Sequence, residues 1–487
     1  MADSNVAVLD VIRALAFVGD LAMGQPTDHS PRAAWMAAQL ARESGADQAS
    51  CTRATAVALL RWSGCTANAP EFAQLFGDDV DGRKALLAMP SSSSNFQVGA
   101  RNKRSAFLSL SKIHCEVSGD IAAQLGLDDE TQYALRHLFE SHDGSGAPDG
   151  LRGEQVPMAV CTASLAGDLD IFHRLYGMDH ACGLIDERAG ALYPRKLAKT
   201  VIKHAPTWIA ALDQDPTLSG PCSLDATLAG HTTSLEILAD VIDLKLPWMT
   251  GHSRAAAELA RSAARRLGLD EASQQRVYRA GLIHGMGRAA VPNLVWDTPG
   301  RLPEAAWERV RLVPYWTGRA ARQIGSLSGE AQIASLAYER PDGSGYFREV
   351  TQASIPVEGR ILAAAVTLAS LRAARPWREA YTNDAARELL MAEAVAGRYD
   401  LDAVRALVDE SPQSRARAQS APSTALLTNR EKEILRWISR GASNKLVAQK
   451  LAISPSTVRT HVESVFRKLE CSTRAAATLK ATQLGLL

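Results

Sequence analysis

Along most of the chain, apolar residues recur three and four positions apart, and alternating Val, Ile and Thr are scarce, which predicts helices. The pattern is clearest towards the C-terminus. Thr428 with Glu431 reads as a capping box that starts a helix whose Ile434, Leu435 and Ile438 turn inward. Gly441 ends that helix, and Ser443 caps a short second one, "NKLVAQKLA". Ser454 as N-cap, with Pro455 at the first helical position, opens a third. At about 100° per residue, Val458, Val462, Val465 and Leu469 share one face of it, and Arg459, Thr460, Glu463 and Arg467 the opposite face. Two helices joined by a short turn, the second with a polar outer face, have the layout of a helix-turn-helix.

Upstream, the helical pattern occurs twice. "DHSPRAAWMAAQLARESG" (Asp28–Gly45) resembles "GHSRAAAELARSAARRLG" (Gly251–Gly268), and "ALLRWSGC" (Ala58–Cys65) aligns with "GLIHGMGR" (Gly281–Arg288), both 223 residues later. "HDGSGAPDG" (His142–Gly150) returns as "PDGSGYFRE" (Pro341–Glu349) after 199, and two further pairs follow in order. Preserved order with a changing offset predicts two related helical lobes with loops of different length. The DGSG segments read as turns. The stretch 410–425, rich in Ser, Ala, Pro, Gln and Arg and without apolar periodicity, reads as a flexible linker. The expected divisions are 1–225, 226–409, 410–425 and 426–487.

Charge sharpens this division. The 487-residue chain has a net charge of +1, yet from Ala425 to Leu487 eleven Lys and Arg face four Asp and Glu. A basic tail on a mildly acidic body implies a polyanion partner for the tail. The seven cysteines are scattered and form no CxxC pair, which argues against a disulfide framework and a cysteine zinc site. The start lacks the pattern of a signal peptide, and apolar runs such as Ile361–Leu371 are too short to span a bilayer. A cytoplasmic protein without a membrane partner is expected.

In copy two, "GHSRAAAELA", "LIHGMGRAAVPN", "PGRLPEAAWERVRLVPYWTG", "ERPDGSGY" and "IPVEGRILAAA" follow one another. In copy one, "DHSPRAA", "HCEVSG" and "DGSGAPDGLRGEQVP" do the same. Both copies resemble HD-GYP domains, helical metal-dependent phosphodiesterases that hydrolyse cyclic di-GMP. That resemblance implies two or three hard cations that bind the phosphate and activate water. The ligand positions depart from the family. At its HD pair stand His284 and Gly285 in copy two, Arg61 and Trp62 in copy one. Its lysine is replaced by Arg288 and Cys65; its next histidine is His114 in copy one and Val313 in copy two. Its paired histidines are replaced by Leu138 and Phe139, and by Ala337 and Tyr338; its final aspartate by Gly167 and Val366. His29 and His252 remain on the first helix of each copy. Neither copy keeps more than three donors, too few for such a centre, so no catalytic residue, metal or cofactor is expected. The surviving histidines read first as hydrogen-bonded packing residues. The alternative is a pocket recast for an apolar or flat ligand and lined by His29, Trp62, His114, Phe139, His252, His284 and Tyr338. The DGSG turns either position helices or contact a phosphate.

In the tail, "LTNREKEIL", "GASNKLVAQKLAISPSTVRTHV" and "KLECSTR" resemble the LuxR-type helix-turn-helix of bacterial transcription regulators. The fold class expected is therefore all-α: two tandem helical HD-like lobes followed by a small four-helix helix-turn-helix domain. The resemblance places Ser454–Glu470 in the major groove of double-stranded DNA. Arg459, Thr460 and Glu463 are the candidates for base edges. Ser443, Asn444, Lys445, Thr457, Arg467 and Lys468 are candidates for the backbone. Val458 and His461 belong to the same surface but read as braces. The fourth helix, from Thr473, is where this family dimerises, which implies a homodimer on a two-fold site. The leading expectation is a sequence-specific transcription regulator whose non-catalytic body senses a small-molecule effector or mediates dimerisation. The alternatives are a residual cyclic-dinucleotide phosphodiesterase, or a cyclic-dinucleotide receptor, coupled to the DNA-binding tail.

Overall fold

The structure, a computed structural model, describes residues 4–89, 100–215, 224–408 and 426–487. The fold is all-α, with β-structure among these residues limited to two three-residue strands, Asn5–Ala7 and Thr232–Ser234, and a few isolated bridges such as Phe139–Ala147 and Asp342–Thr351. No described helix is long and apolar enough to cross a membrane. The chain divides into two compact units, Ala7–Thr233 and Met1–Val6 with Ser234–Leu487. The segment 410–425, read as a linker, lies outside the described residues.

In the first unit, α1 (Val8–Ala22), α2 (His29–Glu43), α3 (Gln48–Leu60), α4 (Ala100–Gln124) and α5 (Met158–Tyr176) frame the core. Helix α2 packs against both α3 and α5. Its small buried residues, Ala33, Ala34, Ala37, Ala38 and Ala41, keep those neighbours close. The second unit repeats the arrangement after α6 (Glu236–Asp243). Helix α7 (His252–Arg266) packs against α8 (Glu271–Ile283) and α9 (Val357–Arg372). Ala256, Ala257, Ala260, Ala263 and Ala264 are buried there. The α7–α8 approach is so close that a Cβ added to Gly281 would lie 2.6 Å from the Cα of Ala257.

Helices α2 and α7 are not capped by their own N-cap side chains. A carboxylate from the preceding helix does the work. Asp20 accepts from the amide of Ser30 (3.0 Å) and from its hydroxyl (2.6 Å). Asp243 accepts from Ser253 in the same way (2.8 and 2.7 Å). Each thereby satisfies donors that a helix start leaves unmatched, and pins His29 and His252 at the first turn. Burial pushes the Asp20 pKa up to about 7 and that of Asp243 to about 6.

The tail folds as the capping signals predict. It comprises α10 (Asn429–Ser439), α11 (Asn444–Leu451), α12 (Pro455–Lys468) and α13 (Arg474–Gln483). The Thr428–Glu431 capping box is formed, and Ser443 and Ser454 cap α11 and α12. Ile434, Leu435, Ile438, Val458, Val462, Val465 and Leu469 are buried together. The tail rests on the second lobe. The Thr250 hydroxyl lies 2.9 Å from the carbonyl oxygen of Ser439 and 2.8 Å from that of Pro247, which share its proton. A Cβ on Gly441 would stand 3.3 Å from that of Pro247, and α13 packs on α6.

Candidate ligand centres and nucleic-acid interface

In the second lobe, α8 ends on His284, which is fully buried. Its Nδ1 lies 2.7 Å from the carbonyl oxygen of Gly281 and its Nε2 lies 2.7 Å from Nη2 of Arg288. A carbonyl only accepts and a guanidinium only donates, so the ring is neutral with its proton on Nδ1. Burial, and then the charge of Arg288, hold its pKa at about 3. The lone pair that a cation would need is spent on an arginine. Arg288 also donates to the hydroxyl of Tyr338 (3.2 Å) and reaches Asp243 (3.4 Å). A Cβ on Gly285 would meet Nη1 of Arg288 at 2.6 Å, so the guanidinium fills the space where the resembled family has a carboxylate. His252 lies 5.7 Å away, ring to ring, and neither of its nitrogens has a hydrogen-bond partner.

The first lobe reaches the same result from another position. Arg61 stands in register with His284, and its Nη1 would be 2.6 Å from a Cβ on Gly167. It makes only long bonds, to the carbonyls of Ala163 (3.4 Å) and Ser164 (3.5 Å), and stacks 4.5 Å from the Trp62 ring centroid. His29 is bound to Asp170 at 2.9 Å, and Asp170 also accepts from Arg32 and Arg174. Burial would raise the Asp170 pKa, but its bond to His29 and the neighbouring charges hold it at about 2. His114 donates from Nε2 to the carbonyl of Arg61 (2.8 Å) and packs edge-on against Trp62 and Phe139. Burial holds its pKa at about 3.

These donor sets do not fit a metal. Among the described residues no three His, Cys, Asp or Glu side chains converge as a cation site. A buried guanidinium stands in each centre, and would repel a cation. Two grooves, of about 480 and 320 Å³, lie elsewhere on the first lobe, around Tyr176–Glu187 and around Arg53, Tyr133 and Met158. The candidate pocket residues are thus gathered lobe by lobe, but neither groove contains them.

The DGSG turns are closed from within. Asp143 accepts from the amide and hydroxyl of Ser145, and Asp342 from those of Ser344. Glu140 accepts from the amides of Asp149, Gly150 and Leu151; Glu339 accepts from those of Arg348 and Val350. Glu140 and Glu339, like Asp20 and Asp243, were not singled out from the sequence. The signal was there, because each pair recurs at its segment's own offset, 199 or 223.

On α12, Thr457, Arg459, Thr460, Glu463 and Arg467 are exposed, as are Ser443 and Lys445 beside it; His461 is half-buried. Arg459 and Glu463 pair at 2.8 Å. Two residues grouped with the DNA surface are engaged inside the domain. Val458 is fully buried in the core, because the apolar face of α12 passes through it. Lys468 donates to Glu431 at 2.7 Å and ties α12 to α10. Asn444 is half committed, accepting from Arg474 at 2.8 Å. Burial would raise the Glu431 pKa, but the bonds from Lys468, the Thr428 amide and Ser464 hold it at about 2.

Comparison with known protein families matches two stretches of the chain. Residues 236–403 match the HD domain family, and residues 425–481 match the bacterial regulatory proteins of the luxR family. The 3'3'-cGAMP-specific phosphodiesterase 3 of Vibrio cholerae is 25% identical over 421 residues, 80% of this chain and 92% of that protein. The crystal structure of V-cGAP3, a cyclic GMP-AMP-specific phosphodiesterase of V. cholerae, aligns with a TM-score of 0.58 at 21% identity. The alignment covers 84% of this chain and 99% of that one. For the tail, the probable transcriptional regulatory protein NarL of Mycobacterium tuberculosis is 42% identical over 71 residues, 15% of this chain and 33% of that protein.

Proposed function

We propose that this chain, an HD-domain protein ending in a LuxR-type helix-turn-helix, is a sequence-specific transcription regulator whose body binds rather than hydrolyses its ligand. The observation that carries the reading is the Arg288–His284 bond: a guanidinium occupies the nitrogen that a catalytic metal would need. The polar face of α12 supports the output. It is open, and its charged residues are held only by a surface ion pair, which contributes little and is readily exchanged for DNA. The DNA domain rests on the second lobe through Thr250 and Ser439, so a change in that lobe has a direct route to the domain. A ligand shifts the regulator only by its differential affinity for two arrangements.

A second reading, a phosphodiesterase coupled to a DNA-binding domain, is favoured by the name of the V. cholerae relative, which the body matches over nearly its whole length. Metal analysis of the purified chain with a hydrolysis assay on 3'3'-cGAMP and cyclic di-GMP separates the two. No turnover in the presence of manganese or iron, together with selection of a defined two-fold DNA site from a random pool, is the expected result. Stoichiometric metal with turnover overturns it.

A further inference from the structure

The core of the first lobe brings two sulfurs and an imidazole together. Cys65 closes the short turn Ser63–Cys65 that follows α3. Its Sγ lies 3.2 Å from Sδ of Met23, at the end of α1, and 3.7 Å from Nδ1 of His114, on α4. All three side chains are buried. The turn reaches α4 this closely because Gly64 has no side chain: a Cβ there would stand 2.3 Å from the carbonyl oxygen of His114. Nε2 of His114 donates to the carbonyl of Arg61 at 2.8 Å, so Nδ1 keeps its lone pair and turns it towards Cys65. One thiol proton thus faces two acceptors, a thioether and an imidazole nitrogen. The second lobe has no such set, since Leu246, Arg288 and Val313 stand at the corresponding positions.

From this juxtaposition we infer that the first lobe binds one soft monovalent cation, of the copper(I) type, through Cys65, Met23 and His114. Thiolate and thioether donors select such an ion, whereas hard cations take carboxylate oxygens. Bonds of about 2.3 Å to sulfur and about 2.0 Å to nitrogen, set at trigonal angles, would hold sulfur and nitrogen about 3.8 Å apart and the two sulfurs about 4.0 Å apart. Cys65 and His114 already stand at that spacing. The Met23 sulfur has to swing slightly outwards, which its unbranched side chain permits.

Charge favours the same ion. It replaces the thiol proton, which leaves to solvent, so the net charge of the core does not change. A dication would add a charge beside Arg83, which donates to the carbonyl of Cys65 at 3.0 Å, and beside Arg61, which is stacked on Trp62. The ion would tie the end of α1, the turn after α3 and α4 to one another, so its binding should stabilise the lobe. The inference goes beyond the regulator reading and does not depend on it.

The test is an anaerobic titration of the full chain with copper(I), in competition with bicinchoninate, alongside Cys65→Ser and Met23→Leu. The parent should hold one equivalent that C65S does not, and M23L should hold it at least tenfold more weakly. The other six cysteines are common to all three chains, so their copper uptake cancels in the comparison. Met to Leu nearly preserves volume, so M23L keeps the test decisive even where C65S fails to fold. X-ray absorption of the parent with one equivalent should show two sulfurs and one nitrogen around the metal, and M23L should lose one sulfur. Copper(I) should also raise the melting temperature of the parent more than that of M23L. Equal uptake by parent and M23L, a shell of oxygen and nitrogen alone, or an unmoved melting temperature overturns the inference and leaves the regulator reading intact.

Discussion

The Nε2 of His284 accepts a hydrogen bond from Arg288 at 2.7 Å, and Gly285, between them in sequence, is what lets the guanidinium fold back onto the ring. The bond and the glycine are one device. Gly285→Ala should therefore force the guanidinium away and break the bond inside a closed core. The expected cost is ~1–3 kcal/mol, that of leaving a buried polar group unmatched. Urea denaturation of the variant measures it. A neutral outcome would mean that Arg288 is free to move and does not hold the centre.

Asp20 and His114 give the first lobe opposite responses to acid. His114 has its pKa depressed from 6.5 to about 3. Its stability contribution is present above 6.5 and is lost as pH falls towards 3. Asp20 has its pKa raised from 3.8 to about 7. Its contribution is full below 3.8 and is lost as pH rises through 7. Between those limits the two offset each other. Asp20→Asn removes one arm, so stability should fall more steeply as pH drops from 6.5 to 4, by up to ~1.4 kcal/mol per pH unit. Urea midpoints of parent and variant across that range decide it; parallel curves would show that Asp20 does not carry a proton in the fold.

Much of this organisation could be read in the sequence. The caps of α10–α12 follow from short-range rules, and the lobes announce themselves by repetition. The centres could be read only as losses. Arg61 and Cys65 occupy the positions of His284 and Arg288, so each lobe brings in its arginine from a different register, against Gly167 in one and Gly285 in the other. No local pattern reports that a side chain has crossed to a distant glycine. Asp20 and Asp243 were missed for a similar reason: they cap helices ten residues downstream, outside any capping motif. The bond from Lys468 to Glu431 on another helix is likewise invisible to the resemblance that groups Lys468 with the backbone candidates.

Arg459 and Lys468 should therefore behave differently in DNA binding. Arg459→Ala removes an exposed donor and should cost ~1–3 kcal/mol of discrimination at one base pair. Lys445→Ala should weaken binding to all sequences and reduce the salt slope by about 1. Lys468→Ala instead deprives Glu431 of its cationic partner, leaving Ser464 and Thr428, so it should lower the melting temperature of the tail while leaving the salt slope of the folded fraction unchanged. Competition assays on specific and random DNA at several salt concentrations, with thermal melts, separate the three. If Lys468→Ala mainly flattens the salt slope, its assignment as a brace is wrong.

The tail's seat on the second lobe makes a last prediction. Gly441 has φ +84°, and Pro247 stands where its side chain would be. Gly441→Ala would strain the backbone as well as crowd Pro247, confounding the domain's own stability with its docking. Thr250→Val is the cleaner change, because it nearly preserves shape while removing the hydroxyl whose one proton is shared between the carbonyls of Ser439 (2.9 Å) and Pro247 (2.8 Å). It should loosen the seat by ~0.5–1.5 kcal/mol, the net worth of one hydrogen bond. If docking holds the tail away from DNA, operator affinity should rise by up to about tenfold in T250V, with sequence preference unchanged. If docking presents the tail to DNA, affinity should fall by a similar factor. Operator titrations of parent and variant decide the sign. Identical curves would mean that the contact does not couple the lobe to the DNA-binding domain.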